Sequence, residues 1–425
     1  MQSSRRARLR ACLLSLFVAP AALVAGAILP SAAGPQPAAT PSRIVAVGDV
    51  HGDDEGLRAI LRQAALVDDA GRWSGGDAVL VQTGDILDRG VKIREVMDLL
   101  MALAPQAQAA RGRVEVLLGN HEAMNVIGML RDVNRGAYAS FADSQSEQRR
   151  NAAYDAEVAL GRARSQEISR AGDRQLVVPG VYLPPDREKW MEAHPPGMLE
   201  YMEALGPRGT YGRWLRARPV AVRVGDTVFV HGGFSPEFAP KSIEAANAQI
   251  KREFDRWDDA RDLLVSRKAA LPSFDFDEIL QAARAALQLA VANASTGDAV
   301  TIAPGMRQLE ELSRIGTWYV INPNGPLWFR GFAMWTSEEG RARIEDLAAR
   351  YKAARFVVGH TPLAGSRITP RFNNRVYLID TGMLNSHYPG GRASALEISG
   401  DRLSAIYADV RTDITGGPRQ NAPVP

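Results

Sequence analysis

Five short stretches of this chain combine acids, amides and imidazoles in a way that suits metal chemistry. They are Asp49-Val50-His51-Gly52, Gly84-Asp85-Ile86-Leu87-Asp88-Arg89-Gly90, Gly119-Asn120-His121-Glu122, His231-Gly232-Gly233 and Gly359-His360. Asp49 and His51, two residues apart, can aim at one point. Alone, such a pair is more often an ordinary turn. Its weight comes from the other four stretches. Of the six histidines, His51, His121, His231 and His360 all fall in them. Core packing gives no reason to place polar groups there. Imidazole nitrogen with carboxylate and amide oxygen, and no thiolate, suits Mn, Fe, Zn or Mg rather than a cysteine-based structural zinc site. The donors are too many for one ion and enough for two. Two ions about 3.5–4 Å apart, bridged by a carboxylate, are the usual device for phosphoester hydrolysis.

Each stretch needs an element that delivers it. Apolar runs at 44–47, 78–81, 114–118, 227–230 and 355–358 precede the five stretches in turn and predict short buried strands. Leu57, Ile60, Leu61 and Ala64 recur at helical spacing, as do Ile93, Val96, Met97 and Leu100. Strand, polar turn and helix thus alternate, which argues for an α/β layered fold with its site at the strand C-termini. Gly225-Asp226 reads as a tight hairpin joining 219–224 to 227–230. Further strands are expected at 375–379, 393–398 and 403–407. Residues 138–206 and 236–314 break the alternation and read as mostly helical insertions. The Gly/Pro-rich end, 413–425, reads as a flexible tail.

The chain has 425 residues, 23% of them charged and 46% hydrophobic, as in an ordinary globular protein. Its first 33 residues differ from the rest. Arg5, Arg6, Arg8 and Arg10 precede an apolar run ending in Ser31-Ala32-Ala33, the pattern of a secretory signal peptide cleaved after Ala33. Export by the general or the twin-arginine route to the periplasm or beyond is expected, with an uncleaved N-terminal membrane anchor as the alternative. Residues 34–42 read as a Pro/Ala linker. Removing the four arginines from a net charge of +3 leaves −1, so nothing points to nucleic acid. The single cysteine, Cys12, goes with the signal, which excludes thiol-phosphate chemistry in the mature chain.

As a set, the five stretches resemble the motif series of the calcineurin-like metallophosphoesterases, and more narrowly the phosphoprotein phosphatase superfamily. The wording around Asp49 to Asp53, the run from Leu117 to Asn125 and the run from Gly325 to Gly331 look most like the branch called Shewanella-like protein phosphatases. The resemblance covers roughly 43–407. It implies a calcineurin-like β-sandwich, two mixed sheets flanked by helices, here with two helical insertions. It implies that Asp49 and His51 hold a first metal, that Asp85 bridges, and that Asn120, His231 and His360 complete a second. His121 is then the general acid, steered by Asp88, while Arg89 and Arg330 bind phosphate. The implied cofactors are two metal ions, Mn, Fe or Zn. The implied substrate is a phosphorylated protein, peptide or small phosphomonoester (on serine/threonine or tyrosine), hydrolysed by water that two metals activate. A phosphodiesterase or dinucleoside-polyphosphate hydrolase on the same scaffold is one alternative, and an inactive metal-binding module another. Asp53 is expected beside the site or its substrate, Glu122 to buttress backbone, and Asp380-Thr381-Gly382-Met383 with His387 and Tyr388 to form a rim of the cleft.

Overall fold

A computed structural model of the chain describes residues 41–170, 184–294 and 305–416. The proposed signal peptide, and most of the linker and tail, lie outside them. Among the described residues the strands are β1 (Ile44–Val47), β2 (Val79–Gln82), β3 (Arg113–Val116), β4 (Ala221–Val224), β5 (Thr227–Val230) and β6 (Arg355–Val358). They continue as β7 (Thr369–Arg371), β8 (Val376–Leu378), β9 (Ser394–Ser399), β10 (Arg402–Tyr407) and β11 (Arg411–Asp413).

The strands form two mixed sheets. One has the order β11-β10-β9-β1-β2-β3, the other β4-β5-β6-β8-β7. β1, β2 and β3 run parallel, whereas β9 pairs antiparallel with β1. In the second sheet β5, β6 and β8 run parallel, and β4 and β7 pair antiparallel at its edges.

The strands read as continuous apolar runs because both of their faces are buried. Alternate side chains serve different cores. Ile44, Ala46, Val79 and Val81 join Phe229, Val357, Tyr377 and Leu396 in the layer between the sheets. Val45, Val47, Leu80, Val228, Val230, Phe356 and Val358 face the helices instead. A one-residue slip in β1 would exchange the two sets, so its register is tightly specified.

α1 (Asp54–Gln63) buries Leu57, Ile60 and Leu61. Asp53 is its N-cap, accepting the Gly56 N–H at 2.8 Å, an interaction typically worth about 1 kcal/mol. Asp53 therefore holds a helix end two residues after His51. α2 (Ile93–Ala109) follows β2, and α3 (Asn120–Val126) follows β3. Between β3 and β4 come α4 (Ser146–Arg170), α5 (Arg187–Ala193), α6 (Met198–Leu205) and α7 (Thr210–Arg216). Between β5 and β6 come α8 (Ile243–Ser266), α9 (Phe276–Ala294), α10 (Met306–Ser313), α11 (Gly331–Met334) and α12 (Ser337–Tyr351). α8 places Ala246, Ile250, Phe254, Trp257 and Leu264 along one buried stripe of the helix-side core. No described helix is long and apolar enough to cross a membrane.

Two short strands depart from the expectation. β7 contains Pro370, tolerated because β7 is an edge strand. β11 pairs with β10, and the Ile414 N–H donates to the Leu403 carbonyl, so ordered chain runs past the expected tail boundary at 413.

The start of α9 carries a pH dependence of its own. Glu278 accepts the Asp275 N–H at 2.8 Å, and Asp275 accepts the Glu278 N–H at 2.9 Å. Burial, with help from the Asp275 charge, raises the Glu278 pKa to about 7 against the opposing Asp275 N–H. The folded state then binds more protons than the unfolded one between the ordinary carboxyl value and about 7. Stability from this group is present at the acid end of that window and is lost as pH rises through it. Melting curves of wild type and Glu278→Gln should therefore diverge with rising pH in favour of the variant. A Tm difference independent of pH from 5 to 8 would refute this assignment.

Candidate metal centre

The strand C-termini bring the five stretches together. β1 delivers Asp49 and His51, β2 delivers Asp85, Asp88 and Arg89, and α3 opens on Asn120 and His121. β5 leads into His231 and β6 into His360. His51, Asp85, Asp88, Arg89 and His360 all have φ between 49° and 68°. Non-glycine residues seldom adopt that region, and such strain clusters at functional sites. Two glycines allow the close approach: a Cβ on Gly119 would collide with the Asp85 carboxylate, and one on Gly359 with that of Asp49.

The hydrogen bonds fix which ring nitrogen is free. Nδ1 of His51 lies 2.8 Å from the Leu87 carbonyl, and Nδ1 of His231 lies 2.9 Å from that of Thr83. Nε2 of His360 lies 3.0 Å from the Trp328 carbonyl. A carbonyl only accepts, so these nitrogens carry the protons and the opposite ones present lone pairs. The free nitrogens of His231 and His360 converge, whereas Nε2 of His51 meets Arg89. Nε2 of His231 stands 3.2 Å from Nδ1 of His360, 3.2 Å from the Asp85 carboxylate and 3.0 Å from Oδ1 of Asn120. Acceptors gathered this closely repel one another unless a cation lies among them, so the donor set fits a metal. Burial lowers the pKa of His51 to about 3, with the charges of His121 and Arg89 adding to it. Burial, then His231, holds His360 well below the ordinary value. Both rings are therefore neutral at pH 7, as metal ligation requires. Burial alone would raise the Asp85 pKa, but His231, His121 and His51 together hold it well below the usual carboxylate range.

Among the described residues three groups bring their ligand atoms within 4.8 Å of one another: His51/Asp85/His121, Asp85/His231/His360 and Asp88/His121/Asp132. Asp85 belongs to the first two, and His121 to the first and third. Asp49 belongs to none of them. Its two oxygens accept the His360 N–H at 3.0 and 3.2 Å. Burial and the neighbouring Asp380 carboxyl raise its pKa well above the ordinary value.

His121 differs from the other rings. Its Nδ1 lies 2.6 Å from Oδ2 of Asp88, and its Nε2 lies 3.9 Å from Asp85. Burial would lower its pKa, but Asp85 and Asp88 outweigh burial and raise it. This ring alone is held by a carboxylate, where the others are held by carbonyls. Glu122 faces backbone: its carboxylate accepts the N–H groups of Gly119, Asp85, Ile86 and Leu87 at 2.7–3.0 Å. It pins the loop that carries Asp85, the buttressing role read from the sequence. Asn125 escaped that reading. It donates to Oδ1 of Asp88 at 2.7 Å, and its place one helical turn after His121 was the available signal.

An open cleft of about 390 Å³ exposes Asp85, Asn120, His121 and His360 between Arg89 and Arg330. Arg89 reaches Nε2 of His51 at 2.9 Å and lies 5.2 Å from the Tyr388 ring centre. Arg330 donates to the His360 carbonyl at 2.9 Å and to Thr361 Oγ1 at 3.0 Å. His387 and Tyr388 line the rim.

Residues 42–364 match the family described as calcineurin-like phosphoesterase. Shewanella-like protein phosphatase 2 of Arabidopsis thaliana is 32% identical over 217 residues, 50% of this chain and 51% of that protein. The chain thus spans about half the length of that relative. Shewanella-like protein phosphatase 1 of Plasmodium berghei is 23% identical over 367 residues, 86% of this chain and 74% of that one. Among solved structures, the cold-active protein-tyrosine phosphatase of a psychrophilic Shewanella superposes with a TM-score of 0.50 at 22% identity, covering 88% of this chain and 80% of its own, a likeness of fold. With the family match extending over most of the described residues, the chain belongs to the calcineurin-like phosphoesterase family.

Proposed function

We propose that this chain is an exported, metal-dependent phosphomonoesterase that acts on phosphorylated protein or peptide. One observation carries the reading. Asp85 stands between His51 and the His231/His360 pair, and His121, its Nδ1 on Asp88, lies beside it in a cleft lined by two arginines. Bound there, two ions of Mn, Fe or Zn would activate water and neutralise phosphate charge. Asp49, His51 and Asp85 would hold one of them, and Asp85, Asn120, His231 and His360 the other. The side chains supply the rest. Arg89 and Arg330 orient phosphate oxygens through guanidinium forks. Nε2 of His121 gives its proton to the leaving oxygen, and Asp88 keeps the ring aimed and charged.

The relatives' names favour a phosphoprotein substrate. A substrate panel tests this: phosphotyrosyl and phosphoseryl peptides, para-nitrophenyl phosphate and the corresponding bis-ester. Monoester cleavage at least about tenfold faster than bis-ester cleavage is expected, a margin of roughly 1.4 kcal/mol. Strong bis-ester cleavage without monoester activity would overturn the reading in favour of a phosphodiesterase. Export rests on residues 1–33, and N-terminal sequencing of the mature protein tests it: a start at Gly34 is expected, and an intact Met1 would contradict cleavage.

A further inference from the structure

α6 contributes one buried polar group that reaches the centre, the hydroxyl of Tyr201. It donates to Oδ1 of Asn125 at 2.5 Å. The Asn125 amide then donates to Oδ1 of Asp88 at 2.7 Å and to the His121 carbonyl at 2.9 Å. Asp88 in turn holds Nδ1 of His121 at 2.6 Å. All four residues are buried, with Tyr201 and Asp88 at 0% exposure. An unbroken chain of hydrogen bonds therefore runs from α6 to the imidazole.

The direction of this chain is fixed by its donors and acceptors. Asp88 Oδ1 and the His121 carbonyl can only accept, so both must face the amide nitrogen of Asn125. The amide oxygen is then turned away from the site and needs a donor. Tyr201 supplies it. Burial raises the phenol pKa well above its ordinary value, so the hydroxyl keeps its proton. The rings of Tyr138 and Phe141 meet the Tyr201 ring edge-on, at 5.3 and 5.0 Å between centres, and fix its direction. Without the hydroxyl the buried Asn125 oxygen would lose this donor. Turning the amide over to relieve it would set that oxygen against the Asp88 carboxylate.

We infer that Tyr201 is a positioning residue for proton donation: through Asn125 it locks Asp88, and so the His121 imidazole, in the orientation that protonates the leaving oxygen. This rests on His121 being the general acid. The helices between β3 and β4 thereby have a task in the reaction although Tyr201 does not line the cleft.

Leaving-group dependence tests it. An acidic phenol departs with little help, whereas an alkoxide needs the proton. Wild type, Tyr201→Phe and His121→Asn are compared on para-nitrophenyl phosphate and on an alkyl phosphate, with metal content and Tm recorded for each. For Tyr201→Phe the expected result is a kcat lowered about tenfold on the alkyl ester but less than about twofold on the aryl ester, with KM and metal content unchanged. Asn125→Ser should reproduce that selective loss, which covers the case of Tyr201→Phe failing to fold. A loss equal on both esters would mean a merely structural role and overturn the inference. If His121→Asn itself shows no leaving-group dependence, the general-acid reading fails. If His121→Asn shows it and both other variants lack it, only the role of Tyr201 fails.

Discussion

Replacing His121 with asparagine should lower kcat on an alkyl phosphate by about 10²–10⁴ while the protein stays folded and loaded with metal. The ring is the one imidazole at the centre held by a carboxylate rather than by a carbonyl. Asp88 at 2.6 Å on one nitrogen and Asp85 at 3.9 Å from the other favour the charged form against a burial of 3% exposure. Its loss removes the ring that Asp88 holds, and with it the proposed proton donor. Steady-state kinetics with metal analysis on the same sample decide the matter. A variant as active as wild type would remove His121 from the mechanism.

Glu122→Gln should produce the second large effect, on stability and metal affinity together. Four backbone N–H groups converge on the Glu122 carboxylate, three of them from the Asp85 loop. Burial and the nearby Asp85 charge raise its pKa, and the N–H groups oppose them. A glutamine keeps one acceptor oxygen and turns an NH₂ group toward donors. At least one buried N–H then loses its partner, at a cost of about 3 kcal/mol for a bond to a charged group. The Asp85 loop loosens with it, so metal affinity should drop about 10–100-fold, as it does when a ligand's supporting partner is removed. Urea unfolding and metal titration read both effects. Unchanged values in both would mean that the loop holds its left-handed φ of 59° at Asp85 without this carboxylate.

Much of this centre was legible in the sequence because its residues lie where short-range patterns operate. An apolar run ending in glycine and a polar group marks a strand C-terminus, and four of the six histidines sat at such points. β5 and β6 have the bounds read from their apolar runs. What escaped depended on distance or on backbone. The carbonyls of Leu87, Thr83 and Trp328 choose the ring tautomers, and no side-chain pattern announces a carbonyl. Asp53 looked like part of the site because of its neighbours, yet its carboxylate caps α1. Tyr201 lies 76 residues from Asn125 in sequence, beyond the reach of any periodicity. The approach of Asp380 to Asp49 arises only when the strands pair.

The central claim is that His51, His231, His360 and a shared Asp85 form a metal centre on which activity depends. Purified mature protein, stripped with chelator and titrated with Mn, Fe or Zn, tests it most directly through metal content by elemental analysis and phosphatase rate on the same samples. The expected result is loss of activity on stripping and recovery that saturates at two equivalents per chain, abolished by Asp85→Asn. Full activity in the stripped protein, or an Asp85→Asn variant that binds two equivalents and works as wild type, would contradict it.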